Sequence, residues 1–169
     1  MPLDDVPLAE RGEIGSEGVM FRGSRAARSL GAIAFVLIGA LPAAANPVGV
    51  IRVANGSGSF ELAYAASAST LGGYVTSDNA PLATIPRSTT DAFTITSTSA
   101  KALAGELIYR VAGEPSRECT FRYTLAFAGG RFTLITDARA SWTGQVTCSA
   151  AASGPDKTKG DFGVTFTMK

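Results

Sequence analysis

The chain has 169 residues, with 15 Lys and Arg against 14 Asp and Glu, no His, and a formal net charge of +1 at pH 7. A net charge this close to zero does not indicate the strongly basic surface that binds nucleic acid. The lack of His removes the commonest general base and the commonest zinc ligand. We therefore expect no nucleic-acid partner, no metal or other cofactor, and no Ser-His-Asp or Cys-His catalysis.

An export signal is the first element that the sequence predicts. The segment "MFRGSRAARSLGAIAFVLIGALPAAAN" has a basic start, an apolar core of about twelve residues and small side chains at Ala43 and Ala45. This is the pattern that signal peptidase recognises, and the core is shorter than the roughly twenty residues that span a bilayer. Cleavage between Ala45 and Asn46 predicts a secreted or periplasmic protein.

The segments on either side of the signal define the predicted domains. Residues 1–19 are acidic and have no apolar period, so we interpret them as an over-extended, disordered gene start, with Met20 as the initiator. Residues 20–45 are the signal peptide. Residues 46–169 form the mature chain, which is long enough for one domain with a single core.

The mature chain predicts strands, because its apolar residues recur at every second position. In "CTFRYTLAF" the alternation places Cys119, Phe121, Tyr123, Leu125 and Phe127 on one buried face. Turn-forming Gly, Pro, Asn and Asp separate such segments. The fold class is predicted to be all-β, a single antiparallel β-sandwich of about 8–10 strands. In chain order, the strand segments are 48–55, 60–64, 93–95, 107–111, 119–127, 132–134, 142–148 and 162–168.

The two cysteines, Cys119 and Cys148, have the parity of the core residues on their strands. In an oxidising compartment we expect them to form one intramolecular disulfide between inward faces. Two buried free thiols are the alternative. An immunoglobulin domain is disfavoured, because Trp142 follows the first cysteine by 23 residues and Val146 occupies the place of the tyrosine corner.

The order of the strands over residues 48–169 resembles that of the aegerolysins and related bacterial crystal or haemolysin-like proteins, a family of small β-sandwiches. The resemblance implies a lipid-recognising sandwich. This chain has one Trp where the family has several, so no recognition residue is carried over from the family. The segments that carry the resemblance are "VIRVANGSGSFELAY", "LATIPRSTTDAFTITS", "GELIYRVAG", "CTFRYTLAF" and "GDFGVTFTMK".

The candidate binding residues are arginines and two aromatic residues. If neighbouring strands align the arginines, their guanidinium groups would bind phosphate or carboxylate through paired hydrogen bonds. An ordinary wet face with scattered cations is the alternative. Tyr74 and Trp142 are candidates for a membrane-interface or sugar-stacking contact, although the parity of Trp142 also fits the core. The arginines are Arg110, Arg122, Arg131 and Arg139, with Arg117 nearby in sequence.

Three classes of function are compatible with this sequence. The first is an exported, non-catalytic protein that binds a lipid or glycan surface. The second is a structural or assembly protein of the cell envelope, whose edge strand pairs with a partner protein. The third is an inhibitor or a small hydrolase, for which a carboxylate pair would supply the chemistry. The candidate carboxylates are Glu106, Glu114, Glu118 and Asp137, and solubility alone would also explain them.

Overall fold

The computed structural model describes residues 45–141 and 145–169, which form a sandwich of two five-stranded sheets. This confirms the predicted all-β sandwich. The described helices are two single 3-10 turns, Ala66–Ala68 and Ser77–Asn79, and no helix in the described ranges is long and apolar enough to cross a membrane. The strands, β1 to β10, are Val48–Asn55, Leu62–Tyr64, Gly73–Tyr74, Thr84–Ile85, Thr90–Ser97, Ala102–Val111, Glu114–Ala128, Arg131–Ala140, Cys148–Ser153 and Phe162–Met168.

The strand order is β3-β5-β1-β10-β9 in the first sheet and β4-β2-β6-β7-β8 in the second. The pairs are antiparallel except β1 with β10, which is parallel. Because β1 and β10 run side by side in the same direction, Val48 and Phe162 lie at one end of the sandwich. Asn55 and Met168 lie at the other end.

The core fills the space between the sheets and follows the predicted alternation. On β10, Phe162, Val164, Phe166 and Met168 are all buried, while the residues between them are half-buried on the opposite face. Phe166 stacks on Phe121 of the second sheet, with ring centroids 4.8 Å apart. Side chains of this size each contribute about 1.5–3 kcal/mol when fully buried, so β10 is a major part of the core.

The disulfide between Cys119 and Cys148 is present, with α-carbons 5.8 Å apart. Cys119 lies on β7 and Cys148 on β9, so the bond joins the two sheets. This confirms the prediction and excludes the alternative of two free thiols.

One predicted core position is wrong. Phe127 shares the parity of Tyr123 and Leu125, which are fully buried, yet 38% of Phe127 is exposed. The cause is the β7–β8 hairpin, which extends past the covered core, so that residues 126–131 are all exposed. Trp142, the over-extended start and the signal segment up to residue 44 lie outside the described residues.

Candidate functional site

A cleft of about 550 Å³ opens at the end of the sandwich where β1 begins. Four separate parts of the chain form it: the start of β1, the β5–β6 turn, the β7–β8 hairpin and the β9–β10 loop. We call this region the cleft end. The lining residues are Ala45, Asn46, Val48, Ala100, Lys101, Phe127, Phe132, Thr158, Lys159 and Asp161.

Two aromatic rings form the apolar part of the cleft. Phe127 and Phe132 pack at a tilt, with ring centroids 4.9 Å apart, and Phe127 keeps more than a third of its surface exposed. The β9–β10 loop closes over Phe132 at Gly160, where φ is +79° and an added Cβ would lie 2.9 Å from the ring. Glycine is required there for both reasons, so the loop and the ring are closely fitted.

The charged part of the cleft comes from Lys101 on the β5–β6 turn and Lys159 on the β9–β10 loop. Both are exposed. The carboxylate of Asp161 also lines the cleft, but its Oδ1 accepts the backbone N–H of Val48 at 2.9 Å. Two cations and one hydrogen-bonded carboxylate therefore face an apolar floor.

Asp156 shapes the loop that carries Lys159. Its Oδ1 accepts the backbone N–H groups of Thr158 and Lys159, each at 2.8 Å, and the Thr158 hydroxyl at 2.7 Å. These bonds, led by that from the Lys159 backbone, lower the pKa of the Asp156 carboxyl to about 2, because hydrogen bonds to a carboxylate favour its charged form. The turn therefore fixes the backbone that carries Lys159.

Two of the predicted binding residues lie near the cleft, although neither lines it. Arg131 begins β8 directly after the hairpin and is exposed. Tyr74 is 65% exposed; it pairs with Thr96, which pairs in turn with Val48 at the cleft wall. Tyr74 is therefore about two strand spacings, or roughly 10 Å, from the cleft wall.

The other predicted arginines lie elsewhere and are already paired. Arg110 bonds Glu118 at 2.9 Å, Arg122 bonds Glu106, and Arg139 bonds Asp137 at 2.6 Å. We call these three pairs the charged ladder; the register of β6, β7 and β8 brings them together on the outer face of the second sheet. Strand pairing thus aligns the arginines as expected, but next to carboxylates.

Arg117 is engaged in a different way. Its guanidinium lies 4.9 Å from the centre of the Phe60 ring and also bonds Glu114 at 3.2 Å and the Gln145 carbonyl at 3.3 Å. This arrangement combines a cation–π contact with an ion pair. Arg117 therefore acts within the fold.

The same pairs decide the role of the candidate carboxylates. Each of Glu106, Glu114, Glu118 and Asp137 is bonded to an arginine. None of the four residues lines the cleft, and a guanidinium group already occupies each carboxylate. The geometry therefore disfavours a glycosidase pair among these four residues.

A second, shallower cleft of about 570 Å³ lies beside Tyr64. Its walls are mostly Ala, Gly and Pro, and none of the side chains that line it is charged. Burial raises the pKa of the Tyr64 hydroxyl above its ordinary value, partly offset by a hydrogen bond with Ser69. This cleft offers no cation or carboxylate to a ligand, so the cleft end is the stronger candidate.

Sequence reasoning missed the main cleft residues. Lys101, Phe132 and Lys159 are not among the binding residues that the sequence predicts. The available signal was the Asp156 turn directly before Lys159, since Asp two or three residues ahead typically fixes such a turn. The predicted edge-strand partner stays a prediction; the sheet edges are β3 and β9 in one sheet and β4 and β8 in the other.

Comparison with known proteins gives a likeness of fold. The structure is similar to the crystal structure of the lipid-binding protein Nakanori, with a TM-score of 0.54 and 11% sequence identity, over 73% of this chain and 71% of that one. No protein-family model matches the sequence, and no curated protein matches it. The chain therefore shares its sandwich fold with a lipid-binding protein.

Proposed function

We propose that this is an exported, non-catalytic protein that binds an anionic lipid surface through its cleft end. The observation that carries the proposal is that the partly exposed Phe127 lines the same cleft as Lys101 and Lys159. An apolar side chain flanked by cations suits the boundary between anionic headgroups and acyl chains.

The cations supply attraction to the headgroups. Lys101, Lys159 and Arg131 come from three different loops or strand ends, yet all lie at the cleft end. Each cation near an anionic membrane surface contributes about 1 kcal/mol. The three together therefore favour binding by about 3 kcal/mol, which depends on salt because exposed charges are screened.

The aromatic side chains would insert at the membrane–water interface. Phe127 presents an exposed ring, and Tyr74 presents a ring with a polar tip at the same end. Tyrosine favours the membrane–water interface for this reason. Both aromatic contacts add to the electrostatic attraction between the cations and the headgroups, and neither requires a catalytic step.

Two further observations support the proposal. The fold is that of a known lipid-binding protein, which agrees with the resemblance to the aegerolysins. The disulfide between Cys119 and Cys148 suits a secreted or periplasmic protein, since such bonds persist in oxidising compartments.

The test is cosedimentation with vesicles of phosphatidylcholine, with and without phosphatidylglycerol. We expect binding to the anionic vesicles that weakens as salt is raised. The double variant Lys101→Glu and Lys159→Glu should lose at least tenfold in affinity. Removing two cations near the surface costs about 2 kcal/mol of binding free energy, and about 1.4 kcal/mol corresponds to a tenfold change in affinity. Phe127→Ala should also weaken binding.

The matched control is Lys169→Glu. Lys169 follows Met168 at the opposite end of the sandwich, about seven strand residues or roughly 23 Å from the cleft. We expect little change in this variant. Binding of the natural protein to glycans on an array, without binding to either kind of vesicle, would overturn the lipid proposal in favour of the glycan alternative.

A further inference from the structure

The predicted signal-cleavage point lies at the cleft. Ala45 and Asn46, the residues on either side of the predicted cut, both line its wall. The backbone that follows is fixed, because the Pro47 carbonyl accepts the Ser97 N–H at 2.9 Å and the Val48 N–H bonds the Asp161 carboxylate at 2.9 Å. Asn46 is therefore held at the cleft by the two residues after it.

From this placement we propose that cleavage between Ala45 and Asn46 completes the lipid site, with the new α-ammonium group of Asn46 acting as an additional cation in the cleft that Lys101 and Lys159 also line. The inference rests on the proposed function and on the predicted cut. In the uncut chain the nitrogen of Asn46 is a neutral amide and Ala45 occupies part of the wall. Cutting removes Ala45 and leaves a positive charge.

The change in charge is large for a site of this size. The charged residues that line the cleft are Lys101, Lys159 and Asp161, a net charge of +1. An α-amino group has an ordinary pKa of about 7.7–8.0, so at pH 7 it is mostly protonated and doubles that net charge. Precursor and mature protein therefore differ in affinity for an anionic surface.

The test compares three forms of the mature chain with anionic phosphatidylglycerol-containing vesicles. Every described strand and the disulfide lie within residues 46–169, so each form contains the complete sandwich. The first form begins at Asn46, the second is acetylated only at that α-amino group, and the third retains Ala44 and Ala45 ahead of it. We expect the first to bind about fivefold more tightly than the acetylated form, the effect of one cation near the surface.

The extended form should also bind more weakly than the form that begins at Asn46, because its ammonium group lies two residues away and Ala45 is back in the wall. Equal affinity of the three forms would overturn the inference while leaving the proposed function intact. Failure of all three to bind anionic vesicles would overturn the proposed function itself.

A control with one charge removed elsewhere distinguishes an effect of charge at the cleft from an effect of the total charge of the protein. Lys169→Gln removes one cation at the opposite end of the sandwich. We expect this variant to keep the affinity of the natural mature protein. A loss equal to that caused by acetylation would show that total charge matters and would overturn the inference.

Discussion

Asp156 shows how one residue prepares the candidate site. Asp156 does not itself line the cleft, but its carboxylate bonds Thr158 and the backbone of Lys159, two residues that do, and so fixes the turn. The neighbouring Gly160 lets that turn close on Phe132. A preformed turn loses less conformational entropy when it binds than a free loop does, so under the proposed function Asp156 would position Lys159 for binding.

The pKa of Asp156 gives a prediction at this scale. Its ordinary value of 3.8 is lowered to about 2 in the folded chain, chiefly by the Lys159 backbone N–H. Because the folded value is depressed, the bonds stabilise the turn fully above about pH 4 and are lost as the pH falls towards 2. Titration of the Asp156 carboxyl carbon by NMR should give a midpoint well below 3.8.

Two variants complete this test. Asp156→Asn keeps an acceptor oxygen and should retain much of the turn, whereas Asp156→Ala should speed amide exchange at Thr158 and Lys159 and weaken vesicle binding. A midpoint at the ordinary value, or an Ala variant with unchanged exchange, would contradict the role given to this carboxylate.

At the scale of elements, alternation of apolar residues predicted most of the long strands and their buried faces, but it placed a strand at 142–148, whereas residues 145–147 are loop and β9 is Cys148–Ser153. Alternation indicates buried faces because a strand places successive side chains on opposite sides. The same signal could not reveal β3 and β4, which have only two residues each. It also could not give the parallel pairing of β1 with β10, since alternation specifies a face and not a neighbour.

The candidate site was predicted less well for a related reason. Lys101 and Lys159 lie on two separate connections and Phe127 lies near the end of β7, and only the strand order brings these three segments to one end. The arginines of the charged ladder were found from their parity, but their carboxylate partners depend on register. Sequence spacing contains neither piece of information.

The strand β10 gives the prediction at this scale. It lies between β1 and β9 and buries four large side chains, worth about 1.5–3 kcal/mol each against a typical total stability of about 5–15 kcal/mol. Deleting residues 162–169 should therefore prevent soluble folding, measured as the soluble fraction after expression.

Single substitutions on the same strand test the same point through the free energy of unfolding. Phe166→Ala should lower the free energy of unfolding by about 3–5 kcal/mol, because Phe166 is fully buried and stacked on Phe121. Thr165→Ala, on the opposite face of β10, should change it by no more than about 0.5 kcal/mol. Similar losses for the two variants in urea unfolding would contradict the assignment of faces.

For the molecule as a whole, the proposed binding site and the disulfide lie at opposite ends of the sandwich. The cleft end contains Lys101, Phe127 and Lys159. The opposite end contains the disulfide, because Cys148 pairs with Met168 at the end of β10, six residues beyond Phe162. At about 3.3 Å per strand residue, the distance between the ends is roughly 20 Å. Stability and binding should therefore be separable.

Replacing both Cys119 and Cys148 with Ala tests this separation. The bond links residues 29 positions apart, and the chain-entropy estimate for a loop of this length is about 3–4 kcal/mol. We expect the free energy of unfolding in urea to fall by about that amount, with vesicle affinity unchanged for the folded variant, because the bond is far from the cleft. The single variant Lys101→Glu should behave in the opposite way, with weakened binding and unchanged stability. A folded double-Ala variant that no longer bound anionic vesicles would show that the lipid site lies at the disulfide end instead.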